Sequence, residues 1–296
     1  MATDPTPFVS PVHARERADA IAATALSPAE ALFGIRVTGS APGRVTGSCV
    51  LPGAQITGPA TPLGYVGALL DLCAGRSVRT TLGKDFGCRT ASLRIDAAGA
   101  FPEAGQRVEA HAEALESFAG TVLAGVRLTD PAGAVIARCT GRFAIVPEQP
   151  EQRAAETLSD AVLTRLLGEI GEARDPREIK LALSPELANQ YGIMHGGVQA
   201  FLSGAVLRNL ASAEAGDAPV ALDLTVRYHR PVVVSGPPIL VRSAVERRGR
   251  KLSVVRTSAA DTAGKPLFTA RATFGAAQAG PNAGARFSTR AATPSR

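Results

Sequence analysis

The chain repeats itself once. Asp130-Pro-Ala-Gly133, followed by AVIARCTGRF to Phe143, returns as Asp261-Thr-Ala-Gly264, followed by KPLFTARATF to Phe274, 131 residues later. TASLRID around Ser92 lies over VALDLTV around Asp223 at the same offset, and PLGYVGALLD (Pro62 to Asp71) lies over HGGVQAFLSG (His195 to Gly204) at an offset of 133. One near-constant offset across three separated blocks implies two tandem copies, since a solenoid needs more repeats to bury its faces. A chain of 296 residues is long enough to give each copy its own core.

Both copies read alike. A short helical piece (18–26; 159–169) precedes an extended stretch, and then a helix introduced by glycine (64–81; 196–213). Strand-like runs follow at 90–95, 106–115, 121–128 and 135–146 in the first copy, and at 220–228, 238–246, 252–259 and 266–275 in the second. The Asp-x-x-Gly segments read as turns between the last two strands of each copy. The glycine-introduced helices are apolar on nearly every side, with Val66, Ala68, Leu69, Leu70, Leu72, Cys73 and Ala74 in the first, so they must be enclosed. Strands outnumber helices, which argues against a doubly wound parallel sheet. The expected class is α+β, each copy a buried central helix wrapped by an antiparallel sheet. The expected domains are 18–147 and 158–276, joined by PEQPEQRAAET (147–157), with a disordered tail over 277–296.

Composition excludes little but narrows partners. The net charge of +6 suits an anionic partner, yet the arginines are dispersed, and with no Trp and three Tyr there is little for bases to stack on, so nucleic acid is not expected. A phosphate-bearing small molecule such as coenzyme A fits the charge, as does an ordinary basic surface. No apolar run reaches membrane-spanning length and the N-terminus lacks a secretory signal pattern, so a cytoplasmic protein without membrane contact is expected. Cys49, Cys73, Cys88 and Cys139 have no metal-type spacing and read as reduced and mostly buried; no metal or cofactor is expected.

Two places carry chemistry. His195, Gly196 and Gly197 run into an apolar helix, as they would where a helix N-terminus receives a negatively charged oxygen, yet that helix has no acid in its first turns. Asp71 is an acid set among Leu69, Leu70, Leu72 and Cys73, where there is little polar stripe to accommodate a solvated side chain.

The motif NxxGxxHGG at the helix entry, complete in the second copy as Asn189, Gly192, His195, Gly196 and Gly197, together with RYHRPV (227–232), resembles the hotdog-fold acyl-CoA thioesterases of the PaaI-like type. The resemblance spans roughly 18–276 and implies a tandem double hotdog. It implies that the Gly196 N–H and Asn189 polarise a thioester carbonyl at a site between two hotdog units, and that an acid from the opposite unit activates water or attacks directly. The acid position of the second copy is Gly204, and its counterpart in the first is Asp71. The first copy has Pro62 where the second has His195, and retains only Gly64 of the glycine pair. Each copy has thus discarded the half that the other keeps. Thr90 falls where the family places a hydroxyl early on the strand after the helix; the second copy has Ala221 there. His195 either takes part directly or packs to hold its loop, and Asn189 could equally cap a turn.

The reading that follows is a thioesterase hydrolysing an acyl-CoA, or a related acyl thioester, at one composite site. Asp71, Gly196, Asn189, Thr90 and His195 carry the chemistry, with Gly197 and Gly64 in contact with substrate. Arg247, Arg248 and Arg250 form a hairpin tip that is either solvated or placed on coenzyme A phosphates. A homo-oligomer of double-hotdog chains is expected from the family. A non-catalytic acyl-CoA-binding or sensing protein stays open, because hotdog folds host several functions.

Overall fold

The computed structural model describes residues 7–53, 62–149, 161–215 and 219–275. The linker calls at 150–157 and the tail from 277 lie outside these residues, as does most of the segment before Pro62.

The first half begins with helices α1 (Ala14–Ala22) and α2 (Pro28–Leu32), then strands β1 (Arg36–Ala41) and β2 (Arg44–Val50). Two consecutive helical pieces follow, α3 (Pro62–Tyr65) and α4 (Gly67–Arg79), then β3 (Phe86–Ala97), β4 (Arg107–Phe118), β5 (Thr121–Thr129) and β6 (Val135–Pro147). The second half repeats the order with α5 (Ala161–Gly171), β7 (Glu178–Leu181), α6 (Gly196–Ala215), β8 (Val220–Tyr228), β9 (Ile239–Arg248), β10 (Leu252–Ala260) and β11 (Pro266–Gly275). The strands expected after each helix are therefore present, mostly one to four residues longer at their ends. Pro147 closes β6 rather than opening a linker. Helix α2 is an element that the periodicity does not reveal, being only five residues long.

All strands join one antiparallel sheet of eleven, in the order β1-β2-β4-β5-β6-β3-β8-β11-β10-β9-β7. Leaving β1 aside, the first half reads 2-4-5-6-3 and the second 7-9-10-11-8, which is the same topology run in the opposite direction. The halves meet where β3 pairs with β8, from Ser92↔Arg227 to Asp96↔Asp223. The middle pair, Arg94↔Thr225, is separated by the 131 residues of the repeat offset itself, so the pseudo-twofold axis of the molecule passes through it.

The sheet wraps α4 and α6. Leu70, Cys73, Ala74 and Val78 on α4, and Val198, Ala200, Phe201, Leu207 and Leu210 on α6, are wholly buried. Because both faces of each helix are covered, an all-round apolar sequence is the stable one. The two helices touch through their smallest residues. A Cβ on Gly197 would lie 2.2 Å from the Ala68 Cα, and one on Gly67 would lie 2.9 Å from the Ala200 Cβ. That backbone-to-backbone approach brings the first turn of α6 against the first turn of α4. The result is the α+β tandem double hotdog implied by the motif.

Candidate active site

Asp71 sits one turn into α4, 5% exposed, and points at the start of α6. Its Oδ2 accepts a hydrogen bond from the Gly197 N–H at 3.0 Å, and its Oδ1 accepts one from the Thr90 hydroxyl at 2.8 Å. Thr90 comes from β3, which enters the sheet directly after α4. One carboxylate is therefore held by a hydroxyl of its own half and by the helix N-terminus of the other. Burial pushes the Asp71 carboxyl up; the nearby His195, the Thr90 hydroxyl and the Gly197 N–H pull it back only in part, leaving it above the usual carboxylate value.

The Gly196 Cα lies against this pair. A Cβ there would stand 2.6 Å from Asp71 Oδ2 and 3.2 Å from Thr90 Oγ1, so no larger residue fits without displacing them. As the first residue of α6, Gly196 has an N–H without an intrahelical partner. Its carbonyl accepts a hydrogen bond from the Tyr228 hydroxyl at 2.9 Å, which fixes the peptide orientation. Burial, then the neighbouring Asp71, raise the Tyr228 pKa well above its ordinary value and keep it a neutral donor.

His195 is 7% exposed. Its Nδ1 accepts from the Gly197 N–H at 3.0 Å and lies 3.4 Å from Asp71 Oδ2, while its Nε2 lies 3.6 Å from the Glu30 carboxylate. Its backbone N–H donates to the Leu187 carbonyl at 2.9 Å, so the residue also holds the loop. Burial pulls the imidazole pKa down, but Glu30 at Nε2 and the charges of Asp71 and Glu30 outweigh this and raise it.

Asn189 builds a turn. Its Oδ1 accepts from the Tyr191 N–H at 2.9 Å and more weakly from the Ile193 N–H, and Gly192 takes a φ of +72° that favours glycine. Both donors and the glycine belong to the NxxGxxHGG motif, which explains its spacing as loop geometry. The Asn189 Nδ2 amide has no partner among the described residues and lines the same cleft as Asp71.

That cleft has a volume of about 290 Å³. Asp71, Thr90, Asn189, His195 and Gly196 all line it, and Arg89 and Arg230 add positive charge, while Arg79 at its wall is paired with Glu148 at 3.0 Å. Other residues placed there escape attention in the sequence: Glu30, Arg76 and Gln199, while Tyr228 belongs to the RYHRPV segment. Ser27-x-x-Glu30 carries a capping-box signature that could have located α2, but nothing in it signals that the glutamate also reaches a histidine.

Two sets of expected residues lie elsewhere. Arg247, Arg248 and Arg250 form the β9–β10 hairpin and are absent from the cleft; Arg248 binds the Glu214 carbonyl and carboxylate at the C-terminal end of α6. The 20 residues of α6 set that end roughly 30 Å from Gly196. The tip is tied to its own half through Glu214, so it is not positioned beside Asp71. Gly64 faces the other way: a Cβ on Gly204 would meet the Gly64 Cα at 3.1 Å. This is the pseudo-symmetric counterpart of the Asp71 contact, and it is closed by backbone packing. Phe33, Tyr65 and Phe201 stack nearby, with ring centroids 4.9 to 6.3 Å apart.

The four cysteines are free, and burial pushes the Cys49 and Cys88 thiols up to about 12, so none is a ready nucleophile. No helix among the described residues is long and apolar enough to cross a membrane.

Residues 184–275 match the family of the acyl-CoA thioesterase N-terminal domain. Among solved structures, the chain is similar to a TesB protein of Mycobacterium avium subspecies paratuberculosis (15% identity, 86% of this chain and 100% of that one, TM-score 0.59). It is also similar to the acyl-CoA thioesterase II TesB2 of Mycobacterium marinum (13%, 83% and 96%, TM-score 0.52). A third similarity is to the 12:0-ACP thioesterase of Umbellularia californica (12%, 78% and 93%, TM-score 0.55). At these identities the structures speak for the fold. No curated protein sequence matches the chain. The chain has the double-hotdog fold of these structures, and its residues 184–275 carry the matched thioesterase domain. The matched acyl-CoA thioesterase domain covers most of the second half, and the match does not distinguish the PaaI-like type.

Proposed function

We propose that this chain hydrolyses an acyl-CoA at a single composite site in which Asp71 is the general base. The observation that carries this reading is the clasp of the Asp71 carboxylate, from the first half, by the Gly197 N–H of the second. Neither half supplies both groups.

In this reading the thioester lies in the cleft with its carbonyl oxygen at the free Gly196 N–H, assisted by Asn189 Nδ2. Negative charge developing on that oxygen is stabilised by a preoriented donor at a helix N-terminus, and each such donor contributes about 3 kcal/mol to the transition state. Asp71 removes a proton from a water molecule, and the resulting hydroxide attacks the carbonyl carbon. The tetrahedral intermediate collapses with cleavage of the C–S bond, and the proton held by the site returns to the departing sulfur. Thr90 keeps Asp71 aimed, and burial strengthens it as a base. Arg89 and Arg230 supply charge for the phosphates of coenzyme A.

The test is a hydrolysis screen over short, medium, long and aryl acyl-CoAs, with Asp71→Ala as control. Turnover of at least one substrate by the native chain and its loss in the variant support the reading. Thermal stabilisation by acyl-CoA without turnover of any substrate would instead indicate a sensing protein.

A further inference from the structure

Glu30 lies outside both motif blocks, yet it reaches the site. It is the N3 residue of α2, where it closes a capping box: the Ser27 N–H donates to its Oε2 at 2.8 Å. The same oxygen accepts from Arg76 Nη2 at 3.2 Å, and Arg76 also donates to the carbonyls of Ile21, Thr24 and Ala25. Glu30 and Arg76 are each 6% exposed. A buried carboxylate fixed this firmly has its second oxygen left over, and Oε1 faces His195 Nε2 at 3.6 Å. On the other side of the ring, Nδ1 faces Asp71 Oδ2 at 3.4 Å. Three groups from three helical segments or their entry loops therefore stand in line as carboxylate, imidazole and carboxylate.

The geometry selects one tautomer. The Gly197 N–H donates to Nδ1 at 3.0 Å, which requires a lone pair there, so the neutral ring carries its proton on Nε2, toward Glu30. When the ring is protonated, its Nδ1–H turns to Asp71 Oδ2 instead. The charged and titratable groups facing the ring are Glu30 on α2 and Asp71 and Arg76 on α4, with Tyr228 on β8 beside them at the Gly196 carbonyl.

We propose that Glu30 is a positioning residue: it holds His195 with Nε2–H toward itself and Nδ1 toward Asp71, so that His195 takes over the proton that Asp71 removes from water. The inference rests on Asp71 being the base. The proton passes from Asp71 Oδ2 to His195 Nδ1, the imidazolium is neutralised by Glu30, and the same proton returns through Asp71 to the leaving sulfur. Glu30 itself never loses or gains a proton. Burial pushes its carboxyl up, but His195, Arg76 and the Ser27 N–H overcome this and hold it below the ordinary value, so it stays charged.

The test compares Glu30→Gln and Glu30→Asp in the full chain, by the pH dependence of kcat for acyl-CoA hydrolysis and by 15N spectra of histidine-labelled protein. Glu30→Gln keeps an acceptor for Ser27, and Arg76 keeps its three carbonyls, so folding is retained and is checked by thermal melting. The expected result is a fall in kcat of roughly 10- to 100-fold, part of the roughly 10²–10⁴ that a positioned acid–base group contributes. The acidic limb moves to lower pH, because the glutamate charge raises the pKa values of both His195 and Asp71, and the His195 resonances lose the Nε2–H pattern. Glu30→Asp, which keeps the charge, restores the limb. A lowered kcat with an unmoved limb and an unchanged His195 tautomer would show mere structural support and overturn the proposal, as would wild-type behaviour. Failure of the base assignment shows separately, as wild-type hydrolysis by Asp71→Asn while the His195 spectrum still responds to Glu30→Gln.

Discussion

The Gly197 N–H and the Asp71 Oδ2 are 126 residues apart in sequence and 3.0 Å apart in space. That bond joins the acid of the first half to the glycine-introduced helix entry of the second. It exists because glycine and alanine at the α4–α6 crossing let two backbones touch. A carboxylate pointing at a helix N-terminus is also electrostatically favoured, which offsets part of the cost of burying it.

Gly196→Ala places a methyl group 2.6 Å from Asp71 Oδ2, so the carboxylate and Thr90 must shift. Displacing a catalytic group by about 1 Å typically costs about 100-fold in rate. Steady-state kinetics are expected to show at least that loss in kcat/KM, with a melting temperature close to wild type because the change is at the cleft and not in the core.

Thr90→Val keeps the shape of the side chain and removes the hydroxyl that donates to Asp71 Oδ1. A hydrogen bond to a charged group contributes about 1.5–3 kcal/mol, so kcat should fall about 10- to 100-fold. The acidic limb of the rate profile should move up in pH, since the bond favours the ionised form. Thr90→Ser is expected to retain most of the activity.

Gly204→Asp restores an acid at the vacated position of the second half, but its Cβ would meet the Gly64 Cα at 3.1 Å. Overpacking costs about 1–3 kcal/mol, and an unpaired buried carboxylate adds to it. Thermal melting should therefore show destabilisation, and no second site should appear in the kinetics. A doubled turnover number would show that the closed side can open.

Raised pKa values give stability a sign. Asp71 binds its proton more tightly folded than unfolded, so its contribution to stability is greatest at low pH and declines as pH rises from the ordinary carboxylate value through its folded one. Asp71→Asn removes that decline. Melts across pH 4 to 8 should show the variant gaining on the native chain as pH rises.

Much of this was legible in the sequence for physical reasons. An acid among Leu69, Leu70, Leu72 and Cys73 has no bland place to go, and the repeat offset aligns Thr90 with Ala221 and Gly204 with Asp71. The β3–β8 seam was not legible, because β-edge residues carry no mark of which edge they will join. Glu30 was hidden because a capping box and a histidine partner use the two oxygens of one side chain, and local sequence reports only the first. The placement of Arg247, Arg248 and Arg250 away from the cleft was not legible either: charge at a hairpin tip says nothing of which end of the neighbouring helix it meets.

The central claim, that one carboxylate from the first half serves a site opened by the second, is tested most directly by kcat/KM of Asp71→Asn on the best acyl-CoA substrate. The account predicts a fall of about 10³-fold or more, within the span of a lost general base and its orientation, in a protein that is at least as stable as the native chain. Hydrolysis within about threefold of wild type, far less than loss of a general base costs, would contradict it.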